Sequence, residues 1–155
     1  LSKRPPYNEN AAIRGALRRT FSRSPIIREV LQKVRREVPR IKKDGSRAKK
    51  DHVQYQCQTC MQYVSSTQIA VDHIDPVIPV VGGFTNWESF ITRLFCGPEN
   101  LQTICESCHR VKSLKENRAR RMIKDTATLK ELQQRSDLDE KEQKLLKRLT
   151  KKSQS

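Results

Sequence analysis

The chain opens with two stretches of helical periodicity. Ile13, Ala16, Leu17 and Phe21 fall on one face at helical spacing, and Asn8 or Asn10 can cap their start, which predicts a helix from Asn8 to Phe21. Ser24-Pro25 then supplies a cap and a first-turn proline. Ile27, Val30, Leu31, Val34 and Val38 continue a second stripe, predicted to be helical as far as Pro39. The two would pack as a hairpin with their arginines outward. Residues 40–50 show no periodicity and read as a basic linker. Short strands are expected at Val53–Gln56 and at Gln68–Ile74, the latter running into a Pro- and Gly-rich loop over 76–83. Thr85 and Glu88 stand at capping-box spacing ahead of Trp87, Phe90, Ile91, Leu94 and Phe95, the strongest amphipathic stripe in the sequence. This stripe reads as core packing, ended by Cys96-Gly97-Pro98. Asn100 to Ile104 is a turn and short strand, and a helix is expected from Glu106 to about Ile123. Beyond it Leu129, Leu132, Leu145, Leu146 and Leu149 sit among charges, and Asp137 to Glu140 could box a last helix, so this tail is helical or orders on binding.

Composition narrows the picture. Of 155 residues, 35% are hydrophobic and 32% charged, lean for one packed core and suited to a compact centre with looser flanks. No apolar run is long enough to span a membrane. The start, Leu1-Ser-Lys-Arg-Pro-Pro, has no signal-peptide-like apolar segment, and without a starting Met it leaves room for further residues ahead of it. Charge is segregated: residues 1–50 hold 16 Lys/Arg against 4 Asp/Glu, residues 51–110 hold 2 against 6, and residues 111–155 hold 14 against 7. Two basic arms around an acidic centre point to a polyanion partner, with an anionic membrane surface as the lesser alternative.

The cysteines supply the first chemistry. Cys57-Gln-Thr-Cys60 and Cys105-Glu-Ser-Cys108 are two knuckles separated by 44 residues. A two-residue spacer lets both sulfurs of a turn face one tetrahedral ion, so two turns fill all four positions, as in structural Zn²⁺ sites. Such pairing suits a metal site in a reducing, intracellular and cytoplasmic setting better than a disulfide framework. A central region of this size also needs a staple. Cys96 is left over and reads as a buried thiol, and His52 as a solvated side chain at the linker edge.

Inside and just after the gap stand Val71-Asp72-His73-Ile74-Asp75-Pro76, Glu99-Asn100-Leu101-Gln102 and Cys108-His109-Arg-Val-Lys112. Three blocks in this order, interlocked with the cysteines, resemble the HNH endonuclease motif in its four-cysteine, small-bacteriophage form. The resemblance covers about residues 51–118. It implies an α+β fold in which a ββα-metal core is stapled by the four-cysteine zinc site, with helical basic extensions: an N-terminal DNA-binding arm over 1–50, a nuclease domain over 51–118 and a tail over 119–155. It also implies metal-dependent hydrolysis of DNA leaving a 5′-phosphate and a 3′-hydroxyl, with Asn100 orienting the loop that bears the base.

The chemistry needs these residue types. An imidazole, with an ordinary pKa of about 6.5, is a suitable base for water at neutral pH, and His73 is the candidate. Asp72 and His109 are candidate ligands of a divalent cation; one carboxylate and one imidazole leave room for water and phosphate, which suits Mg²⁺ or Mn²⁺, with Ni²⁺ or Zn²⁺ as alternatives. In a regular strand Asp72 and His73 would face opposite sides, so both reach one site only if the strand ends there, as Asp75-Pro76 suggests. Arg14, Arg18, Arg19, Arg23, Lys42, Lys43, Arg47, Lys49, Lys50 and Lys112 are the candidate contacts to double-stranded DNA. A zinc-stapled nucleic-acid-binding module without catalysis is the competing expectation, and an adaptor within a phage genome-processing complex a third.

Overall fold

The structure, a computed structural model, describes residues 6–153. The chain start without a signal-peptide-like segment, residues 1–5, lies outside the described residues. The described chain divides into two compact units, one of residues 6–79 and 83–110, the other of 80–82 and 111–153.

In the first unit, α1 (Glu9–Phe21) starts as expected, the Asn8 side chain accepting a hydrogen bond from the Ala11 N–H. The second helix is shorter than predicted. α2 (Pro25–Lys33) stops five residues before Val38, and β1 (Arg35–Val38) follows it. Val34 and Val38 fit a helical stripe, but Arg35–Val38 instead pairs antiparallel with β2 (His52–Gln56), from Arg35 opposite Tyr55 to Val38 opposite His52. Tertiary pairing overrides local periodicity here. The basic stretch between these strands is part of a hairpin: Ile41 bridges Arg47, and Gly45 takes the left-handed conformation (φ 80°) that the turn requires. β3 (Tyr63–Ser65) completes the sheet on the far side of β2, and the Arg36 guanidinium lies 3.4 Å from the centre of the Tyr63 ring.

A second, two-stranded sheet carries the motif residues. β4 (Ile69–His73) pairs antiparallel with β5 (Leu101–Cys105), from Ile69 opposite Cys105 to His73 opposite Leu101. Between them lies the loop after His73, then α3 (Trp87–Leu94) and one turn of 3₁₀ helix at Pro98–Asn100. Asn86, not Thr85, caps α3, accepting from the Ser89 N–H. Of the predicted stripe, Phe90 and Leu94 are buried, whereas Ile91 and Phe95 stay largely exposed. The core joins Phe90, Leu94, Leu101 and Val77 to Phe21 of α1 and Val30 of α2, so the helices expected as an arm close over the β4–β5 sheet. Burying each such side chain contributes about 1.5–3 kcal/mol.

α4 (Glu106–Gln134) starts directly after β5 and runs well past Ile123. Its residues from Val111 onward belong to the second unit, with α5 (Glu140–Ser153). Asp139 accepts from the Glu142 N–H while the Glu142 carboxylate accepts from the Asp139 N–H, a capping box two residues later than predicted. Leu132 and Leu149 are buried, and Lys152 pairs with Asp125 across the two helices. No helix among the described residues is long and apolar enough to cross a membrane.

Candidate metal centre and adjoining polar site

The four knuckle cysteines converge: one sulfur from each of Cys57, Cys60, Cys105 and Cys108 lies within 4.8 Å of the others. The Cys60 and Cys105 sulfurs are 3.8 Å apart. That is far beyond a disulfide and close to the roughly 3.8 Å edge of a tetrahedron with metal–sulfur bonds of about 2.3 Å. The donor set therefore fits a metal such as zinc. Cys96 stands outside this cluster, half-buried against the apolar core, where burial pushes its thiol up.

Local sequence explains the convergence. The first knuckle follows β2, and its turn closes by Met61 N–H to Cys57 C=O and Cys57 N–H to Gln62 C=O. Met61 takes the left-handed conformation at φ 62°. Thr103, fully buried on β5, fastens this knuckle to the second sheet. Its N–H donates to the Gln58 side chain at 2.7 Å, its hydroxyl donates to the Gln56 carbonyl, and its carbonyl accepts from the Gln58 N–H. The second knuckle is the junction of β5 and α4. The Cys105 thiol falls to about 6, chiefly through the Ser107 hydroxyl 3.1 Å away and then the Cys108 N–H, while its neighbour Cys105 and burial push the Cys108 thiol up to about 12. Four adjacent sulfurs cannot all ionise unaided. A cation lets them do so.

Beside this cluster the motif residues fall into three places. Asp72, near the end of β4, and His109, in the first turn of α4, meet with Oδ1 and Nε2 3.9 Å apart. Donors at about 2.1 Å from one ion stand roughly 3 to 4 Å apart, so the pair can share a cation at the wide end of that range. The Asp72 Oδ2 is buried, and the His109 side chain is half exposed.

His73 turns to other elements. The residue is only 7% exposed; its ring packs on Phe21 at 5.0 Å between centroids and sets Nε2 3.0 Å from the Leu94 carbonyl oxygen. A carbonyl only accepts, so Nε2 carries the proton and the lone pair of a neutral ring lies on Nδ1. The contacts of Asp72 are thus with α4 and those of His73 with α1 and α3, the alternation that strand geometry demands.

Asn100 closes the loop after His73. Its Oδ1 accepts from the Asp75 N–H at 2.8 Å, its Nδ2 reaches the Asp75 carbonyl, and its own carbonyl accepts from the Ile74 N–H. The Arg93 guanidinium adds two hydrogen bonds to the Pro76 carbonyl. Sequence reasoning missed Arg93, although it is one of only two cations in the acidic centre. It also missed Phe21, Ser107 and the Thr103–Gln58 link. In the sequence Phe21 is only the end of an apolar stripe, and nothing local ties it to a histidine 52 positions later.

The candidate DNA contacts are scattered. Arg14 and Arg18 lie over the Phe84 and Phe90 rings at 5.3 and 5.7 Å, Arg47 pairs with Asp51, and Lys112 with Glu116. Arg19, Arg23, Lys42, Lys43, Lys49 and Lys50 are exposed, as is His52. Comparison with known proteins returns no matching family model, curated protein or solved structure.

Proposed function

We propose that this chain is a metal-dependent endonuclease of the HNH type, hydrolysing phosphodiester bonds in double-stranded DNA around a structural zinc held by Cys57, Cys60, Cys105 and Cys108. The observation that carries the reading is the meeting of Asp72 and His109 across a strand–strand–helix succession whose helix starts from the second cysteine knuckle. Cys105 and Cys108, bound to such a zinc, would hold the start of α4, and hence His109, against β4. Asp72 and His109 would hold the catalytic cation, Mg²⁺ or Mn²⁺. Bound there, it would supply charge neutralisation for the scissile phosphate and for the leaving oxygen.

His73 takes the proton of the attacking water. Its Nε2–H bond to Leu94 fixes the ring, leaving Nδ1 as the basic nitrogen. The new bond joins water oxygen to phosphorus, the bond to the 3′ oxygen breaks, and that oxygen takes a proton from solvent water to leave as a 3′-hydroxyl, while the proton on His73 returns to solvent. Asn100 and Arg93 hold the loop after the base, which keeps the strand end where His73 and Asp72 diverge. The exposed basic residues of α1 and of the β1–β2 hairpin hold the phosphate backbone, while the acidic centre repels it until the cation is in place.

A second reading, a zinc-stapled nucleic-acid-binding module without catalysis, is favoured by the burial of His73 against Phe21. Nicking of a supercoiled plasmid with Mg²⁺ or Mn²⁺ separates the two. Wild type should nick and His73→Ala should not; equal nicking by both removes His73 as the base, and no nicking by wild type leaves the binding module.

A further inference from the structure

The second unit has a basic groove between its two helices that the proposed chemistry does not use. It has a volume of about 530 Å³, and Arg121, Lys124 and Thr128 of α4 line it opposite Arg148 of α5. A second hollow adjoins it, sharing Leu145 and Arg148 and adding Lys141 and Lys144. Asp125 is the one carboxylate in either lining, and it is paired with Lys152. Its carboxyl is held below the usual range, chiefly by that hydrogen bond and further by the charges of Lys152, Arg121 and Arg148.

An ordinary solvated helix face offsets its cations with acids three or four residues away, as Glu116 does for Lys112 and Arg120 and Glu140 for Lys144, but Lys124 and Arg148 have no acid at that spacing. Four of the hairpin's seven acids, Asp137, Asp139, Glu140 and Glu142, sit at the connection between the helices. Residues 118–130 and 144–152 carry ten Lys/Arg against Asp125 alone. Like charges stand four apart at Arg120–Lys124, Lys144–Arg148 and Arg148–Lys152, a spacing that opposes helix formation. Arg121, Lys124 and Arg148 make no ion pair among the described residues. Cations kept together against their own repulsion, on two facing helices, fit a row of phosphates.

We propose that the second unit binds the phosphate backbone of duplex DNA in the α4–α5 groove, through Arg121, Lys124 and Arg148. This rests on the DNA partner of the reading above, not on its catalysis. The test uses the full zinc-loaded chain without Mg²⁺ or Mn²⁺, and a fluorescent duplex of about 20 base pairs titrated over a series of NaCl concentrations. Arg121→Gln/Lys124→Gln/Arg148→Gln should weaken binding at least about tenfold at low salt. It should also flatten the log–log salt slope by about 2 to 3, since each phosphate contact contributes about 0.9. Lys115→Gln/Lys130→Gln/Lys147→Gln removes the same charge from exposed positions outside the groove and should flatten it by less than about 1. Equal changes in the two triple variants overturn the groove, as does wild type that prefers phosphatidylserine vesicles to duplex. A wild type that binds through the groove but never nicks plasmid sinks the nuclease reading and leaves this one standing.

Discussion

Four thiols from two knuckles converge where β5 meets α4, while a carboxylate and an imidazole meet half in the open beside the first turn of that helix. Both sets can hold a cation, yet they are built differently. The thiols come from segments 44 residues apart, bound to each other by Thr103 and Gln58, and supply four donors, enough to close a tetrahedral ion to water. Asp72 and His109 supply two, and leave the rest of an ion's coordination to solvent or substrate. Closed coordination staples a fold and open coordination admits chemistry, so substitutions at the two places should fail differently.

The largest expected effect is at the closed cluster. Cys105→Ser removes a donor and the anchor of the β5–α4 junction. The zinc content should fall from one per chain to none, and the cooperative melting of the first unit should be lost, because metal binding at such sites is worth on the order of 10 kcal/mol. A strong chelator applied to wild type should reproduce this. Unchanged metal content and melting in Cys105→Ser would mean that the cysteines are not a staple.

The open pair should show the reverse. Asp72→Asn keeps the shape but removes the charge that would attract a cation, and His73→Ala removes the proposed base. Each should cut plasmid nicking by about 10²- to 10⁴-fold while zinc content stays at wild-type level. Loss of zinc in Asp72→Asn would merge the two sites into one and end the contrast.

Between these lies Asn100, which touches neither set. Asn100→Ala leaves the exposed Asp75 N–H without its 2.8 Å partner, a loss of about 0.5–1.5 kcal/mol. A loop that no longer fixes the strand end should lower nicking by about 10- to 100-fold with an unchanged zinc content. Full activity in this variant would show that the loop needs no clamp.

The contrast also explains what could be read from the sequence. The cysteine cluster was legible because its information is local: two Cys-x-x-Cys turns place two sulfurs each, and only their meeting is tertiary. β4, β5, α1 and α3 were legible from alternation and amphipathic stripes. β1 was hidden, because Val34 and Val38 continue a helical period and only its pairing with β2 decides for the strand. The surroundings of His73 were hidden for the same reason. Phe21, the Leu94 carbonyl and the Arg93 clasp on Pro76 come from residues 20 to 52 positions away from His73 in sequence, and a main-chain carbonyl leaves no residue-type signal at all. β4 ends at His73, close to where Asp75-Pro76 suggested, yet Asp72 and His73 still splay to different elements, so the strand end does not bring both to one site as expected; the alternation of the strand persists to its last residue.

The smallest expected effect isolates the staple from the chemistry. Met61 ends the first knuckle at φ 62°, where a side chain is strained by about 1–2 kcal/mol, and its own side chain is 59% exposed. Met61→Gly relieves that strain but adds backbone freedom to the unfolded chain, which returns about 0.5–1 kcal/mol. The balance is a gain of about 0.5–1 kcal/mol, read as a rise of a few degrees in the melting temperature of the zinc-loaded protein. Nicking should not change, because Met61 lies in the turn between Cys57 and Gln62 and touches neither Asp72 nor His109. A melting temperature that rises together with activity would show that the closed cluster does more than hold α4 in place.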